Sequence, residues 1–369
     1  MKYWRGYLVA AIIAACAVGL SMFAEGHVVL VDMIYPAVSR MVMEYMAAWS
    51  SGTDAVLWQV LLVAAAALLL CSFVLMIVLR WNPVQWFGWV LTAVSVVFFL
   101  HTGLYGLNAH AGPIAEDLRL EVNEPSATTM EAAAAYYRDK ANALAQETQR
   151  QPDGTLQGLD FEALAAIAGD GFNNLTYEET YPIFSGSIVP VKAMGWQDYY
   201  TARGITGMTV ALTGESCVNT DTPAAGLPFV MCREMAHRMA IYPTAEAEFA
   251  AFLACRYNSS TEFQYSAYLM AYRTCRNALA SLQGGYGKDA VQRLDQEADL
   301  QLLRDIQKYE AFLGENGSAA DEELCKLLVS WHIQQVVVPQ QEAENEANKT
   351  FDPMDETDER LQDIVNGEA

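Results

Sequence analysis

Residues 227–256 read LPFVMCREMAHRMAIYPTAEAEFAAFLACR. The stretch predicts two helices, one from Leu227 or Pro228 to about Ala240 and one from Thr244, as N-cap, to about Arg256. The core of the first, Arg233-Glu234-Met235-Ala236-His237, has the frame of H-E-x-x-H with Arg in place of the first His. That motif sets two His one helical turn apart on one face, where both can ligate zinc, with the Glu beside them as general base on a metal-bound water. Glu234 takes the base position, His237 a ligand position, and Glu246, nine residues on, that of a third ligand. An ordinary amphipathic helix with a satisfied His is the competing reading.

Arg233 is the decisive departure. A guanidinium stays protonated and offers no lone pair to a metal. His237 and Glu246 alone are two ligands where a catalytic zinc site has three, which counts against zinc as a cofactor. The charge of Arg233 can instead pair with Glu234, Glu246 or Glu248 and stand in for the ion.

Upstream, Gly207 to Val218 reads as one strand, with Met208, Val210 and Leu212 alternating with Thr209, Ala211 and Thr213. Gly214-Glu215-Ser216 lies at its end, where Glu215 is a candidate for lining a peptide groove. Farther upstream, Thr128-x-x-Glu131 is a capping-box signal for a helix to about Arg150, followed by a turn at Gln151-Pro152-Asp153-Gly154. A short helix is expected at 160–168 and irregular chain at 173–190. Downstream, Ser259-x-x-Glu262 opens a helix to Leu282, and two more are expected at about 289–313 and 319–337. Tyr265 and Tyr268 on the first of these are candidates for stabilising an oxyanion, with core packing the alternative.

The first 107 residues are of another kind. Apolar runs at about 7–24, 55–79 and 84–107 are long enough to cross a membrane. Residues 25–54 between the first two read as a loop, in which 33–40 open a short interfacial helix. Of 22 basic and 44 acidic residues, only four and four precede Asn108, so the whole net charge of −22 lies beyond it. Such an acidic region is a poor partner for nucleic acid, whose phosphates must be neutralised by Lys and Arg. Lys2, Arg5 and Arg80 fall on one side of the three spans; the positive-inside rule places that side in the cytoplasm and residues 108–340 outside it. The stretch 341–369, with ten acidic and two basic residues, is expected to be disordered.

Seven cysteines do not make a disulfide scaffold in 369 residues. Cys217, Cys232, Cys255, Cys275 and Cys325 follow the spans, form no C-x-x-C pair and read as small buried side chains. Five is odd, so at least one is unpaired within the chain.

A strand ending in Gly-Glu, a turn, the His helix and then a helix with Glu is similar to the layout of gluzincin-type metallopeptidases, where an edge strand binds peptide backbone. The chain also resembles the bacterial membrane proteins grouped as domain-of-unknown-function family 3810, predicted to be membrane zinc metallopeptidases. The resemblance runs to about residue 280. It rests on three N-terminal spans, Ile34-Tyr35-Pro36-Ala37-Val38-Ser39-Arg40, Gly106-Leu107-Asn108, Gly204-Ile205-Thr206-Gly207, Thr213-Gly214-Glu215 and Val218-Asn219. Pro228-Phe229, Glu246-Ala247-Glu248-Phe249 and Tyr265-Ser266-Ala267-Tyr268 complete it. It implies Glu234 as general base and His237 and Glu246 as zinc ligands, with Arg233 at the first ligand position and Glu248 where the family carries Asn.

The expectation is therefore a mainly α protein: three transmembrane helices, then a zincin-like helical domain with a small strand region. Three functions follow from different weights on Arg233. One is a pseudopeptidase that binds a peptide or envelope protein without cutting it. The second is a working membrane zinc metallopeptidase that uses Glu234 as base. The third is a structural envelope protein.

Overall fold

The computed structural model describes residues 2–150, 156–157, 160–178, 181–185, 189–314, 317, 319 and 321–343. The expected turn at 151–154 and most of the expected disordered tail lie outside the described residues. Helices α1 (Arg5–Gly26), α3 (Leu57–Val78) and α4 (Pro83–Leu104) have 22 residues each and mean hydropathies of 2.2, 3.0 and 1.7. At ~1.5 Å per residue each reaches roughly 33 Å, enough for a hydrocarbon core of about 30 Å. The chain is a multi-pass membrane protein.

Small residues let α1 and α4 approach closely, as helices in lipid require. Gly6 lies against Gly88, where an added Cβ would come within 2.5 Å of backbone. Thr92 Oγ1 donates to the Gly6 carbonyl at 2.9 Å, and Ala10, Ala17 and Ala24 continue the buried seam. Helix α3 stands apart: every residue from Val60 to Cys71 is exposed, so among the described residues no face of its middle is buried against another helix. Near its far end, Ser72 accepts from Trp86 Nε1 at 3.2 Å and Phe73 meets the Trp86 ring edge-on.

The expected loop at 25–54 is instead mostly a 23-residue helix, α2 (Val28–Ser50), which runs through Pro36. Charged residues interrupt the apolar run without breaking the helical period. Leu30, Ile34, Val38, Met41, Tyr45 and Trp49 form an exposed stripe, while the polar side holds the end of α4. Tyr35 Oη donates to the Gly103 carbonyl at 3.0 Å, and Ser39 Oγ to that of Leu104 at 2.7 Å. Asn108 Nδ2 donates to Ser39 Oγ at 2.9 Å. These bonds satisfy carbonyls that a helix end leaves without partners. Arg40 pairs with Glu44 at 2.9 Å and donates to the carbonyls of Ile183 and Ser185. Because α1 and α4 run parallel, the end of α1, the start of α3 and the end of α4 share one side of the spans, and α2 lies along it.

Beyond α4 come α5 (Ile114–Asp117), α6 (Ala127–Glu147), α7 (Phe161–Ile167) and α8 (Asp170–Glu178). The last of these replaces part of the irregular chain expected at 173–190. Then follow β1 (Lys192–Ala193), α9 (Gln197–Thr201), β2 (Gly207–Val210), β3 (Glu215–Val218) and α10 (Leu227–Arg238). Helices α11 (Thr244–Arg256), α12 (Thr261–Ser281), α13 (Gly285–Glu297), α14 (Leu300–Leu313) and α15 (Glu322–His332) complete the order. The strand expected over 207–218 is a hairpin: β2 and β3 pair antiparallel with Gly207 opposite Val218 and Val210 opposite Glu215. Gly214, at φ 65°, makes the turn that alternation alone concealed. Strand β1 joins β3 in parallel, giving the order β1-β3-β2 with β2 at one edge.

Other boundaries move by local chemistry. Ser126, not Thr128, caps α6 by accepting from the Thr129 amide at 3.2 Å. Thr244 is the first residue of α11 and Pro243 precedes it; α12 starts after Ser260. The single helix expected at 289–313 is broken before Asp299, which caps α14 through the Gln301 amide at 2.7 Å. The helix expected at 319–337 begins at Glu322, and past His332 the coil widens over Ile333–Val337. Helices α6, α10, α11, α12 and α15 share one buried core, in which Tyr137 Oη donates to the Leu328 carbonyl at 2.7 Å.

Candidate functional site

Pro228 in the first turn of α10 costs no hydrogen bond, because the amides there have no helical partner. The helix then places Arg233 and His237 one turn apart. It ends by a left-handed residue, Ala240 at φ 71°, and the Ile241 amide returns to the Ala236 carbonyl at 3.3 Å. That turn sets the Ile241 carbonyl against His237, whose Nδ1 donates to it at 2.9 Å. Only a protonated Nδ1 can make this bond, so in the neutral ring the lone pair is on Nε2. Burial holds His237 below the ordinary histidine range and Arg233 adds to this, against the opposing pull of Glu234. Tyr105, just past α4, brings its hydroxyl to 3.4 Å from the same Nδ1.

Arg233 does not project freely into the cleft. Its Nε and Nη2 donate to Glu234 Oε1 at 3.1 and 2.7 Å, and Nη2 also donates to Thr206 Oγ1 at 2.9 Å. Its Nη1 lies 3.5 Å from Glu248 Oε1 on α11. Burial opposes the charge, but Glu234 and Glu248 outweigh it and hold the guanidinium above its ordinary range. Burial raises Glu248 above the usual carboxyl range even though Arg233 pulls the other way.

Glu234 is 2% exposed. Its second oxygen, Oε2, accepts from Thr209 Oγ1 on β2 at 2.9 Å. Its backbone carbonyl accepts from Ser216 Oγ at 2.8 Å and shares the one Thr209 hydroxyl hydrogen with Oε2, Thr209 Oγ1 lying 2.8 Å away. The hairpin therefore grips α10 at Glu234. Gly207 permits the approach: an added Cβ would lie 2.8 Å from both Cγ and Oε1 of Glu234.

Arg233, Glu234 and His237 line an open cleft of about 590 Å³ with His101 and Tyr105 from the end of α4, Tyr242 and edge strand β2, while Glu248 lies outside its lining. Glu246 is elsewhere. It faces a second cavity of about 500 Å³ with Asp32, Arg40, Glu44 and Asp117, and accepts from the Ile114 amide at 3.1 Å. Burial, reinforced by Asp117, raises its pKa. The structure thus joins Arg233, Glu234 and Glu248 and leaves Glu246 out of the cleft. Among the described residues no group of three or more His, Cys, Asp or Glu is placed to hold a metal ion. Arg233 offers a metal no lone pair and Glu246 faces the other cavity, so of the three ligand positions only His237 supplies a donor to the cleft, and this set does not fit zinc.

Glu215 is likewise engaged, and not as a groove residue. Its two oxygens accept from the amides of Leu57 and Trp58 at 2.8 and 2.9 Å, so the side chain caps α3 from β3. Lys192 Nζ donates to Glu215 Oε1 at 2.9 Å and to the carbonyls of Ser50 and Ala55. Gln59 and Gly195 exchange two hydrogen bonds of 3.1 Å beside this cap. Tyr265 is fully buried and donates to Asp305 at 2.7 Å, with Arg150 bonded to the same carboxylate. Tyr268 packs among Tyr136, Tyr137 and Phe252. Neither tyrosine lines the cleft. Thr206 and Gly207, which shape the site, entered the sequence reading only within the stretch that carries the family resemblance and at the start of the strand, Thr209 only through strand alternation, and Tyr105 only as the end of a span.

A family model described as "Protein of unknown function (DUF3810)" matches residues 31–328. No curated protein and no solved structure matches the chain. Most of the chain falls within that one match, the signature at residues 34–40 included, and the protein belongs to the DUF3810 family.

Proposed function

We propose that this is a membrane-anchored, non-catalytic binding protein on a metallopeptidase-like plan. Residues 108–340 form an extracytoplasmic domain that holds an extended peptide segment of an envelope protein. The single observation that carries the reading is the state of Arg233. Its guanidinium fills a ligand position of the motif and is held by Glu234, Glu248 and Thr206. His237 still makes the Nδ1–H to carbonyl bond that commonly orients a metal-ligating imidazole. Both observations support reading the site as one in which a fixed cation takes the place of a metal charge. Edge strand β2 borders the cleft, and an added strand is the simplest way for it to take peptide backbone. The outward placement rests on Arg5 and Arg80 on the far side of the spans.

The test is metal content and peptidase activity of the full-length protein in detergent, beside Arg233→His. A wild-type protein without zinc or chelator-sensitive cleavage, and a variant that acquires zinc, is the expected result. Stoichiometric zinc in the wild type, with cleavage abolished by Glu234→Gln, would establish the working peptidase instead. A cellular phenotype that survives both His237→Ala and Glu234→Ala but not disruption of the core would make the protein structural.

A further inference from the structure

Arg256 closes α11 with its charge unanswered. Arg138, Arg150, Arg233, Arg273 and Arg276 each reach a carboxylate at 3.7 Å or less. Among the described residues Arg256 has no such partner, although the chain carries a net charge of −22. Arg238 shares the lack, but it is 2% exposed and spends a donor on the Val189 carbonyl. The Arg256 guanidinium lies instead 4.8 Å from the centroids of both the Tyr257 and the Trp331 ring. Phe252 meets Trp331 edge-on and Tyr137 stacks on it, so the core fixes that platform. Arg256 Nε is buried with no acceptor among the described residues. A buried donor left without an acceptor is costly and points to a group that supplies one. Arg256, Tyr257 and Trp331 together line a cavity of about 140 Å³. Its walls are Leu118, Leu120, Phe249 and Leu253, and no acidic residue lines it. Gln335 lines it from the widened coil Ile333–Val337, and its side-chain amide makes no hydrogen bond among the described residues. Widened coils of this kind recur at functional sites.

We propose that this cavity binds a monocarboxylate with a short apolar body, held by Arg256 and Gln335. A guanidinium pairs a carboxylate through two parallel N–H···O bonds, and the Gln335 amide supplies a further donor. The apolar body packs on Leu118, Leu120 and Phe249. A phosphate dianion suits the place less well. Arg256 is the one cation in the lining, and it stands at a helix C-terminus, whose partial charge is negative. The size sets a limit too, since a cavity of about 150 Å³ is filled by benzene. The carboxylate belongs either to a free short-chain acid or to the last residue of a peptide, which share this chemistry. The cavity has no lining residue in common with the cleft of Arg233, so the proposal does not depend on how that cleft is used. Arg256 also offsets the dipole of α11, a role that needs no ligand and that the experiment separates.

The experiment titrates the full-length protein in a non-ionic detergent, by calorimetry, with isovalerate and with its neutral isostere isovaleramide. A tripeptide ending in leucine is titrated as the free acid and as the amide. The expected result is saturable binding of isovalerate or of the tripeptide acid, with the matching amide weaker by about tenfold or more. Isovalerate alone assigns a free acid; the tripeptide acid alone assigns a chain terminus. Arg256→Gln should remove the binding. Gln335→Ala, at an exposed position, should weaken it by about threefold to tenfold and leave thermal unfolding unchanged. No saturable binding of either acid, or equal binding of acid and amide, would overturn the proposal. So would inorganic phosphate binding more tightly than isovalerate, or wild-type affinity in a folded Arg256→Gln. Where Arg256→Gln does not fold, Gln335→Ala and the cavity-filling Leu120→Phe decide in its place: a loss in either supports the site, and unchanged affinity in both overturns it.

Discussion

Arg233 Nη2 lies 2.7 Å from Glu234 Oε1, a pair between adjacent residues with side chains only 13% and 3% exposed. The same guanidinium reaches Glu248 on the next helix, 3.5 Å away, while Glu246 faces another cavity. If Arg233 replaces a ligand, the third donor for a restored site is Glu248. Arg233→His should therefore bind zinc; a second change Glu248→Ala should abolish uptake, and Glu246→Ala should leave it. Metal analysis of the three proteins after equilibration with zinc decides the matter, and loss with Glu246→Ala alone would reverse the assignment.

Gly207 offers a way to disturb the pair without touching either member. The Cβ of Gly207→Ala would fall 2.8 Å from Glu234 Oε1, and that oxygen is held by two bonds to Arg233. Overpacking of this kind costs about 1–3 kcal/mol. The expected outcome is a loss of that size in detergent-based unfolding, and little further loss when Gly207→Ala is added to a Glu234→Ala background, which already lacks the oxygen that the Cβ would meet.

The cap on α3 gives a larger effect. Glu215 has a fully buried side chain, and Lys192, which pairs with it, is 14% exposed. Glu215→Ala should cost roughly 3–5 kcal/mol, because a buried cation loses its partner and two helix amides lose their acceptor. A cheaper double variant, Glu215→Ala with Lys192→Met, would confirm that the stranded charge is the main penalty. Equal losses in the single and double variants would refute it.

The histidine of the site sets a pH dependence with a definite sign. His237 titrates below its ordinary value of 6.5, so near that pH the unfolded chain binds more protons than the folded one. The contribution of His237 is therefore full above 6.5 and is lost as pH falls through the window below it. His332, lowered by burial, acts in the same sense. Glu246 and Glu248, both raised, act oppositely: their contribution is present at acid pH and is lost as pH rises through their folded values. His237→Gln should flatten the acid limb of a stability profile measured between about pH 5 and 7.

At the end of α10, Ala240 holds a left-handed conformation that favours glycine. Ala240→Gly should stabilise the protein by about 1 kcal/mol and leave the Nδ1 bond of His237 intact. Thermal unfolding of the variant, together with the nitrogen shifts of His237, tests both halves of the statement.

The three spans were legible because a continuous apolar run is a local property of the chain. Helix α2 was not: Asp32, Arg40 and Glu44 look like loop residues until Arg40 is seen to hold Ile183 and Ser185, far along the sequence. The helical frame of Arg233 and His237 was also legible, as spacing alone fixes which residues share a face. Which carboxylate meets Arg233 was not. Glu246 and Glu248 differ by two residues, nearly opposite sides of a helix, so the answer depends on how α11 is rotated against α10. Glu215 misled for a related reason. A carboxylate after a strand reads as a surface group, and its partners, the amides of Leu57 and Trp58, are backbone and leave no mark in the sequence.

Those two amides also link the bilayer to the sheet. A transmembrane helix answers a thicker or thinner membrane by changing its tilt. Among the described residues the middle of α3 is buried against no other helix, so little within the spans resists such a tilt. At its N-terminal end the helix is fastened through one carboxylate to β3, and β3 is paired with the strand that borders the cleft. Tilting α3 must therefore either break that fastening or move the hairpin with it.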